Sequence, residues 1–211
     1  MSKLNVLGVC AAQGALLFPF KSHVIANVEP RAVFHSRNEE QWKLNFGDIP
    51  MVRDLSSVPD KRVDIIVGSP SCGHSSIFSY SRKKTLGKPR EDATLNLYIS
   101  SIKKFHPAIF MLENLPKLLD FIQIDEWEHN LPDYKFIVHC HSVSVFGNSQ
   151  KSRKRLILIG VKKDSGINPD IFSRTFRVSK PLNVTQLKKK VRKNLNFRED
   201  DTKKLAMYHY K

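Results

Sequence analysis

"VDIIVGSPSCGHSSIFSYSRKK", Val63 to Lys84, is the stretch on which the fold turns. Val63 to Val67 is short, apolar and rich in β-branched residues, the signature of a buried strand. It runs directly into Gly68-Ser69-Pro70-Ser71-Cys72, a turn composition that ends the strand. A cysteine used for packing prefers the apolar interior, whereas Cys72 sits among Gly, Pro and Ser. In an open α/β sheet, ligands bind beyond the carboxyl ends of the strands, and Cys72 falls at such an end.

The surrounding chain supplies the rest of such a sheet. Strands are expected at Leu4 to Cys10, His23 to Glu29, Ala108 to Asn114, and in "KFIVHCHSV" and "RLILIGV". Helices are expected at Ala32 to Phe46, Glu91 to Phe105, where Leu95, Ile99 and Ile102 recur at helical spacing, and near Pro116 to His129. Strands alternating with helices predict an α/β fold: a doubly wound, mostly parallel sheet, with antiparallel geometry open for the last two strands. Three strand ends then carry polar residues at one edge: Glu29, the Gly68 to Cys72 turn, and Glu113-Asn114.

Composition narrows the setting. A chain of 211 residues with 41% hydrophobic content can bury one full core and an appendage. No apolar run approaches the roughly 20 residues of a membrane helix, and "MSKLNVLGVC" is too short and too weakly basic for a signal peptide, so a cytoplasmic protein without a membrane partner is expected. Cys10, Cys72 and Cys140 are odd in number and far apart, which suggests neither a disulfide framework nor a zinc site. His74, His139 and His141 lack metal-like spacing, and no metal is expected.

The net charge of +15 is unevenly spread: 17 Lys and Arg face 15 Asp and Glu up to Ser149, against 18 and 5 from Gln150 onward. The first part reads as a nearly neutral body. The second is a basic block, suited to sequence-independent attraction to phosphate, with a solubilising tail as the plain alternative.

Three phrases, in order, carry a resemblance. "GSPSCGHSSIFS" resembles the Gly-x-Pro-Pro-Cys-Gln-x-x-Ser loop of the cytosine carbon-5 DNA methyltransferase family, "FMLENLPKLL" its Glu-Asn-Val motif, and "FGNSQKSRKRLILIG" its Gln-x-Arg-x-Arg motif. The likeness covers Leu4 to Val161, about three quarters of the chain, and implies a Rossmann-like methyltransferase domain over 1–161 followed by a basic extension over 162–211.

What the resemblance implies for the site can be stated by residue. Cys72 takes the place of the nucleophile that adds to carbon 6 of cytosine. Glu113 takes that of the acid near ring nitrogen 3, and Arg155, supported by Arg153, that of the guanidinium near the carbonyl oxygen. Asn114 is expected to hold the Pro70 to Cys72 turn through the backbone. The plain alternatives are a turn role for Cys72, a helix-capping role for Glu113 and a solvent-facing role for one of the arginines.

The implied cofactor is S-adenosylmethionine, at the tips of the first strands. There "VCAAQGALLFPF", Val9 to Phe20, stands where the family has Phe-x-Gly-x-Gly-Gly; Gly14 is retained, while Ala12 and Ala15 replace glycines. Cys10, Ala11, Gly14, Glu29, Asp54 and Ser69 form the expected cofactor set, with Glu29 accepting from the ribose hydroxyls and Asp54 near the adenine amino group.

The implied partner is duplex DNA, contacted by Ser75, Arg82, Lys83 and Lys84 of the loop after Cys72, with the target cytosine flipped out of the stack. Ser71 and Gly73 depart from the family's Pro and Gln, and one extra residue precedes Arg153, so that Gln150 or Lys151 takes the Gln position. Only 51 residues follow Gly160, where the family places a long recognition region and a returning helix. An abbreviated recognition region with a helix at Val184 to Leu195 is therefore expected, or a separate recognition subunit. An RNA cytosine methyltransferase and a non-catalytic DNA-binding relative stand as the alternative functions.

Overall fold

The computed structural model describes residues 4–30, 36–72, 92–120, 122–142 and 153–174. The chain divides into two compact units, one comprising 1–140 with 155–174 and the other 141–154 with 175–211. All that follows concerns the first unit unless stated.

Seven strands form one sheet: β1 (Val6–Val9), β2 (Val24–Val28), β3 (Met51–Val52), β4 (Ile65–Gly68), β5 (Ile109–Asn114), β6 (Tyr134–Ser142) and β7 (Lys154–Lys162). Their order is β3-β2-β1-β4-β5-β7-β6. The pairs from β3 through β5 are parallel, and β7 runs antiparallel to β5. This is the doubly wound order with one reversed strand inserted near an edge, and the expected fold class stands.

Both faces of the sheet are covered, which is why its central strands read as continuous apolar runs. Leu7 and Ile66 point to the face packed by Leu95, Tyr98 and Ile102 of α2 (Ala93–Phe105) and Trp127 of α3 (Ile124–Asn130). Val6 and Val67 point to the other, against Leu17 and against Trp42 and Phe46 of α1 (Ser36–Phe46). Burial of a side chain such as Ile66 or Leu112, both fully enclosed, contributes about 1.5–3 kcal/mol.

Local differences from the sequence reading have physical causes. The helix read from Ala32 is described from Ser36, since 31–35 lie outside the described residues. The helix read over Pro116 to His129 is two pieces, a 3-10 turn at Pro116–Asp120 and α3. β3, two residues beside β2 at the sheet edge, is too short to show a period, and a nine-residue 3-10 segment with Pro19 inside fills Ala15–His23. A short helix, α4 (Asp170–Arg174), follows β7. The helix expected at 184–195 lies outside the described residues. No helix among the described residues is long and apolar enough to cross a membrane.

Candidate active site

The carboxyl ends of β4 and β5 lie side by side, paired from Ile65↔Ile109 to Gly68↔Leu112. Gly68 is required there, because a Cβ would meet the carbonyl of Val9 at 2.2 Å and the Tyr98 ring at 2.6 Å. Beyond it the chain turns through a half-buried Ser69 and a buried Pro70 to an exposed Cys72. Two contacts pin this turn. Asn114 Nδ2 donates to the Pro70 carbonyl at 2.9 Å, and the Ser71 N–H donates to Thr94 Oγ1 at 2.8 Å. Asn114 is itself buried, and its Oδ1 accepts from the Leu115 N–H, so the amide is fixed from both ends.

Thr94 owes its place to a helix cap. Asp92 accepts from the N–H groups of Thr94 and Leu95 at the start of α2 and also from the Thr94 hydroxyl. The cap that starts α2 thus orients the hydroxyl that holds the cysteine turn. The sequence reading missed both residues; the signal was an Asp directly before a helical pattern, in "EDATLNLY".

Glu113 projects from the end of β5 with each carboxylate oxygen engaged. Oε1 pairs with Arg155 Nε at 2.8 Å, and Oε2 accepts from the Ser69 hydroxyl at 2.8 Å. Arg155 comes into range because β7 is antiparallel: its amino end lies at the same sheet edge as the carboxyl end of β5. Glu113 is registered with Ile157, so Arg155, two residues earlier, shares its face as a diagonal neighbour. The pair is about four-fifths shielded, with side-chain exposures of 19% and 23%. Ser69 therefore meets Glu113, although it was grouped with the cofactor residues from sequence. Arg153 belongs to the second unit and is exposed.

A second cluster lies at the tips of β1 and β2. Cys10 is buried, its thiol 3.9 Å from the Thr94 carbonyl and pushed far above its ordinary range by burial, next by the charge of Glu29, so it is an inert thiol. Cys10 and Ala12 both adopt left-handed backbone, with φ of 54° and 47°. That conformation costs a residue with a Cβ about 1–2 kcal/mol. Gly14 also has positive φ, 84°, and a Cβ on it would stand 2.2 Å from the Phe46 ring.

Glu29, only 3% exposed, accepts from the Ala12 N–H at 3.0 Å and from Asn27 Nδ2 at 3.5 Å, both at Oε2. Burial raises its carboxyl above the ordinary range, opposed first by the Ala12 N–H and then by Asn27 and Arg53. Both of these contacts fall on Oε2, so this oxygen serves the loop. Asp54, after β3, is exposed; its Oδ1 accepts from the hydroxyls of Ser56 and Ser57 and the Ser57 N–H, and these bonds, that of Ser56 foremost, lower its pKa. Ala11 is buried, its N–H directed at Asn27 Oδ1.

The structure brings together Ser69, Pro70, Glu113, Asn114 and Arg155 in one cluster and Ala11, Gly14 and Glu29 in another. Ser75, Arg82, Lys83 and Lys84 lie outside the described residues, as do Gln150 and Lys151. All three cysteines are free, and the described residues hold no group of three or more side chains able to bind a metal ion.

The sheet order and the placement of these clusters define a Rossmann-like methyltransferase fold. Solved structures with this fold include a prophage-encoded protein of E. coli described as a DNA modification methyltransferase, 22% identical with a TM-score of 0.59 over 80% of this chain and 49% of its own. The S. pombe Dnmt2 methyltransferase is 16% identical, with a TM-score of 0.55 over 81% and 53%. The Entamoeba histolytica methyltransferase EhMeth is 17% identical, with a TM-score of 0.59 over 86% and 58%. The chain spans about half the length of these structures. Among curated proteins, none matches it in sequence.

Residues 21–210 match the sequence profile of the C-5 cytosine-specific DNA methylases, and the chain belongs to that family. The match begins after the altered loop at 9–20 and extends across the basic segment that three short phrases had left unaligned.

Proposed function

We propose that the chain transfers a methyl group to carbon 5 of cytosine in DNA through a covalent adduct with Cys72. The observation that carries this reading is the doubly pinned Pro70 to Cys72 turn beside the Glu113 to Arg155 pair. It supports a free, exposed Cys72 two residues past a proline pinned by Asn114, on the strand end beside the one that carries the paired carboxylate and guanidinium.

Carbon 5 of cytosine is a poor nucleophile until a thiolate adds to carbon 6. Cys72 forms that bond, and electron density moves onto carbon 5 and the ring. Glu113 holds a proton at ring nitrogen 3, and Arg155 faces the carbonyl oxygen, so that the charge gathered by the ring meets groups already in place. S-adenosylmethionine, when bound, supplies the methyl group as an electrophile. Once carbon 5 carries the methyl group its proton leaves to a base, the Cys72 bond to carbon 6 breaks, and the thiolate and the aromatic ring are restored. Asn114 and Thr94 keep the thiol from retreating during both steps.

The residues at the tips of β1 to β3 fit the donor: Gly14 leaves the loop compact, Glu29 Oε1 is available to ribose hydroxyls, and Asp54 can accept from the adenine amino group. DNA is the proposed substrate on the strength of the family and of the 14 Lys and Arg in residues 162–211, whose attraction to phosphate falls with salt.

Purified chain, labelled S-adenosylmethionine and duplex DNA test the reading, with nucleoside mass measurement as the readout. Methyl label on deoxycytosine that vanishes in Cys72→Ser, while the folded structure persists by circular dichroism, is the expected result. With 5-fluorocytosine in the substrate, a covalent protein adduct should accumulate at Cys72, because fluorine cannot leave as a proton does. Turnover retained by Cys72→Ser would remove the mechanism, and label on RNA alone would change the substrate.

A further inference from the structure

β2 carries a polar residue where its neighbours are apolar. Asn27 is fully buried within the five buried residues of Val24–Val28, a placement tolerated only when the amide finds partners. Its partners are all in the loop after β1 or serve that loop. Oδ1 accepts from the Ala11 N–H at 3.4 Å, and Nδ2 donates to the Ala12 carbonyl at 3.4 Å and to Glu29 Oε2 at 3.5 Å. With Glu29 accepting from the Ala12 N–H at 3.0 Å, both backbone groups of Ala12 are engaged by side chains of residues 27 and 29.

The facing strand makes room for this. Gly8 is registered directly opposite Asn27, and a Cβ at Gly8 would stand 2.7 Å from Asn27 Oδ1. A glycine in mid-strand thus clears the path by which an amide reaches across to the next loop. The loop so held is the one in which Ala12, with φ of 47°, occupies backbone space that glycine enters freely and alanine does not.

We propose that Asn27 is a positioning residue: with Glu29 it forms a buried amide and carboxyl brace that imposes the left-handed turn at Ala12 and so shapes the loop for S-adenosylmethionine. The inference rests on the reading of that loop as the cofactor site. The brace does by side-chain contact what a glycine at residue 12 would do by freedom of φ. Its consequence is a dependence between two positions: the loop needs either the amide at 27 or a glycine at 12.

The test is a cycle of Asn27→Ala, Ala12→Gly and the double variant in the full chain, with two readouts. The first is hydrogen exchange at the Ala11 and Ala12 amides, which needs no ligand; the second is S-adenosylmethionine affinity by calorimetry. Asn27→Ala should speed exchange at both amides and weaken the cofactor about tenfold. Adding Ala12→Gly should recover most of that affinity, although it changes the parent chain about twofold or less.

Faster exchange without loss of affinity, or a loss that glycine does not rescue, would make Asn27 a core residue only and overturn the proposal. Unchanged exchange would overturn the brace itself. If Asn27→Ala does not fold, Asn27→Leu, which fills the space without hydrogen bonds, carries the same expectations. Should the parent chain fail to bind S-adenosylmethionine, the cofactor reading falls, and amide exchange alone then decides the brace.

Discussion

Two clusters along the same edge of the sheet solve the same problem differently. At the ends of β4 and β5, the side chains that the proposed chemistry uses are those that the short sequence phrases contain, and their contacts are direct: Asn114 to Pro70, Ser69 to Glu113, Arg155 to Glu113. At the ends of β1 and β2, the loop has alanine where the resemblance expects glycine, and Ala12 takes left-handed backbone under Asn27 and Glu29. A reacting side chain has few substitutes, because its function is its own atoms. A backbone conformation has many, because any contact that offsets its cost will serve.

The largest expected effect breaks the comparison on the catalytic side. Glu113→Gln preserves a partner for the Ser69 hydroxyl but removes the acid, and should lower single-turnover methyl transfer about 10²- to 10⁴-fold. S-adenosylmethionine affinity, measured by calorimetry, should stay within about twofold. Equal losses in both quantities would mean that the two clusters do not act separately.

The next effect is in stability and falls on the cluster at β1 and β2. Gly14→Ala puts a Cβ 2.2 Å from the Phe46 ring and 2.8 Å from the Trp42 ring, at a φ of 84°. Overpacking and the left-handed strain together should cost about 2–4 kcal/mol in urea unfolding. A change below about 1 kcal/mol would show that this loop yields to an added methyl group.

The smallest effect concerns pH. Burial raises the Glu29 carboxyl above its unfolded value of 4.5, so its neutral form is favoured in the folded chain. The corresponding stability is present in full below the unfolded value and is lost as pH rises through the higher folded value. Parent stability relative to Glu29→Gln should therefore decline from about pH 4 toward neutrality, as read by thermal unfolding across pH. A difference that grows with pH would mean that the Ala12 N–H, the Asn27 amide and Arg53 outweigh burial.

Much of the fold was legible because periodicity and turn residues agree along the chain: "VDIIVGSP" is a strand and its stop in eight letters. β3 was not, because two residues have no period, and the 3-10 segment at Ala15–His23 was not, because "ALLFPFKSH", with Pro19 inside it, shows neither a helical nor a strand period. In the proposed site, Cys72, Glu113 and Asn114 could be picked out by residue type and position. Thr94 and Asp92 could not, since their link to Ser71 joins positions 21 to 23 residues apart. Asn27 was visible as a polar letter in an apolar strand, but its meaning depends on Gly8 across the sheet, a pairing that appears only with register.

The reversed direction of β7 has a consequence for how such a chain tolerates change in length. Arg155 meets Glu113 through the pairing of β7 with β5, in which Leu156 faces Asn114 and Ile157 faces Glu113. Its position is counted from within the strand, not from the segment that leads to it. A residue gained or lost before Arg153 leaves the register that sets Arg155 against Glu113 unchanged. The same gain between Arg155 and Ile157 would turn the arginine to the opposite face of the sheet. For this pair, a change in length is thus absorbed on one side of Arg155 and breaks the contact on the other.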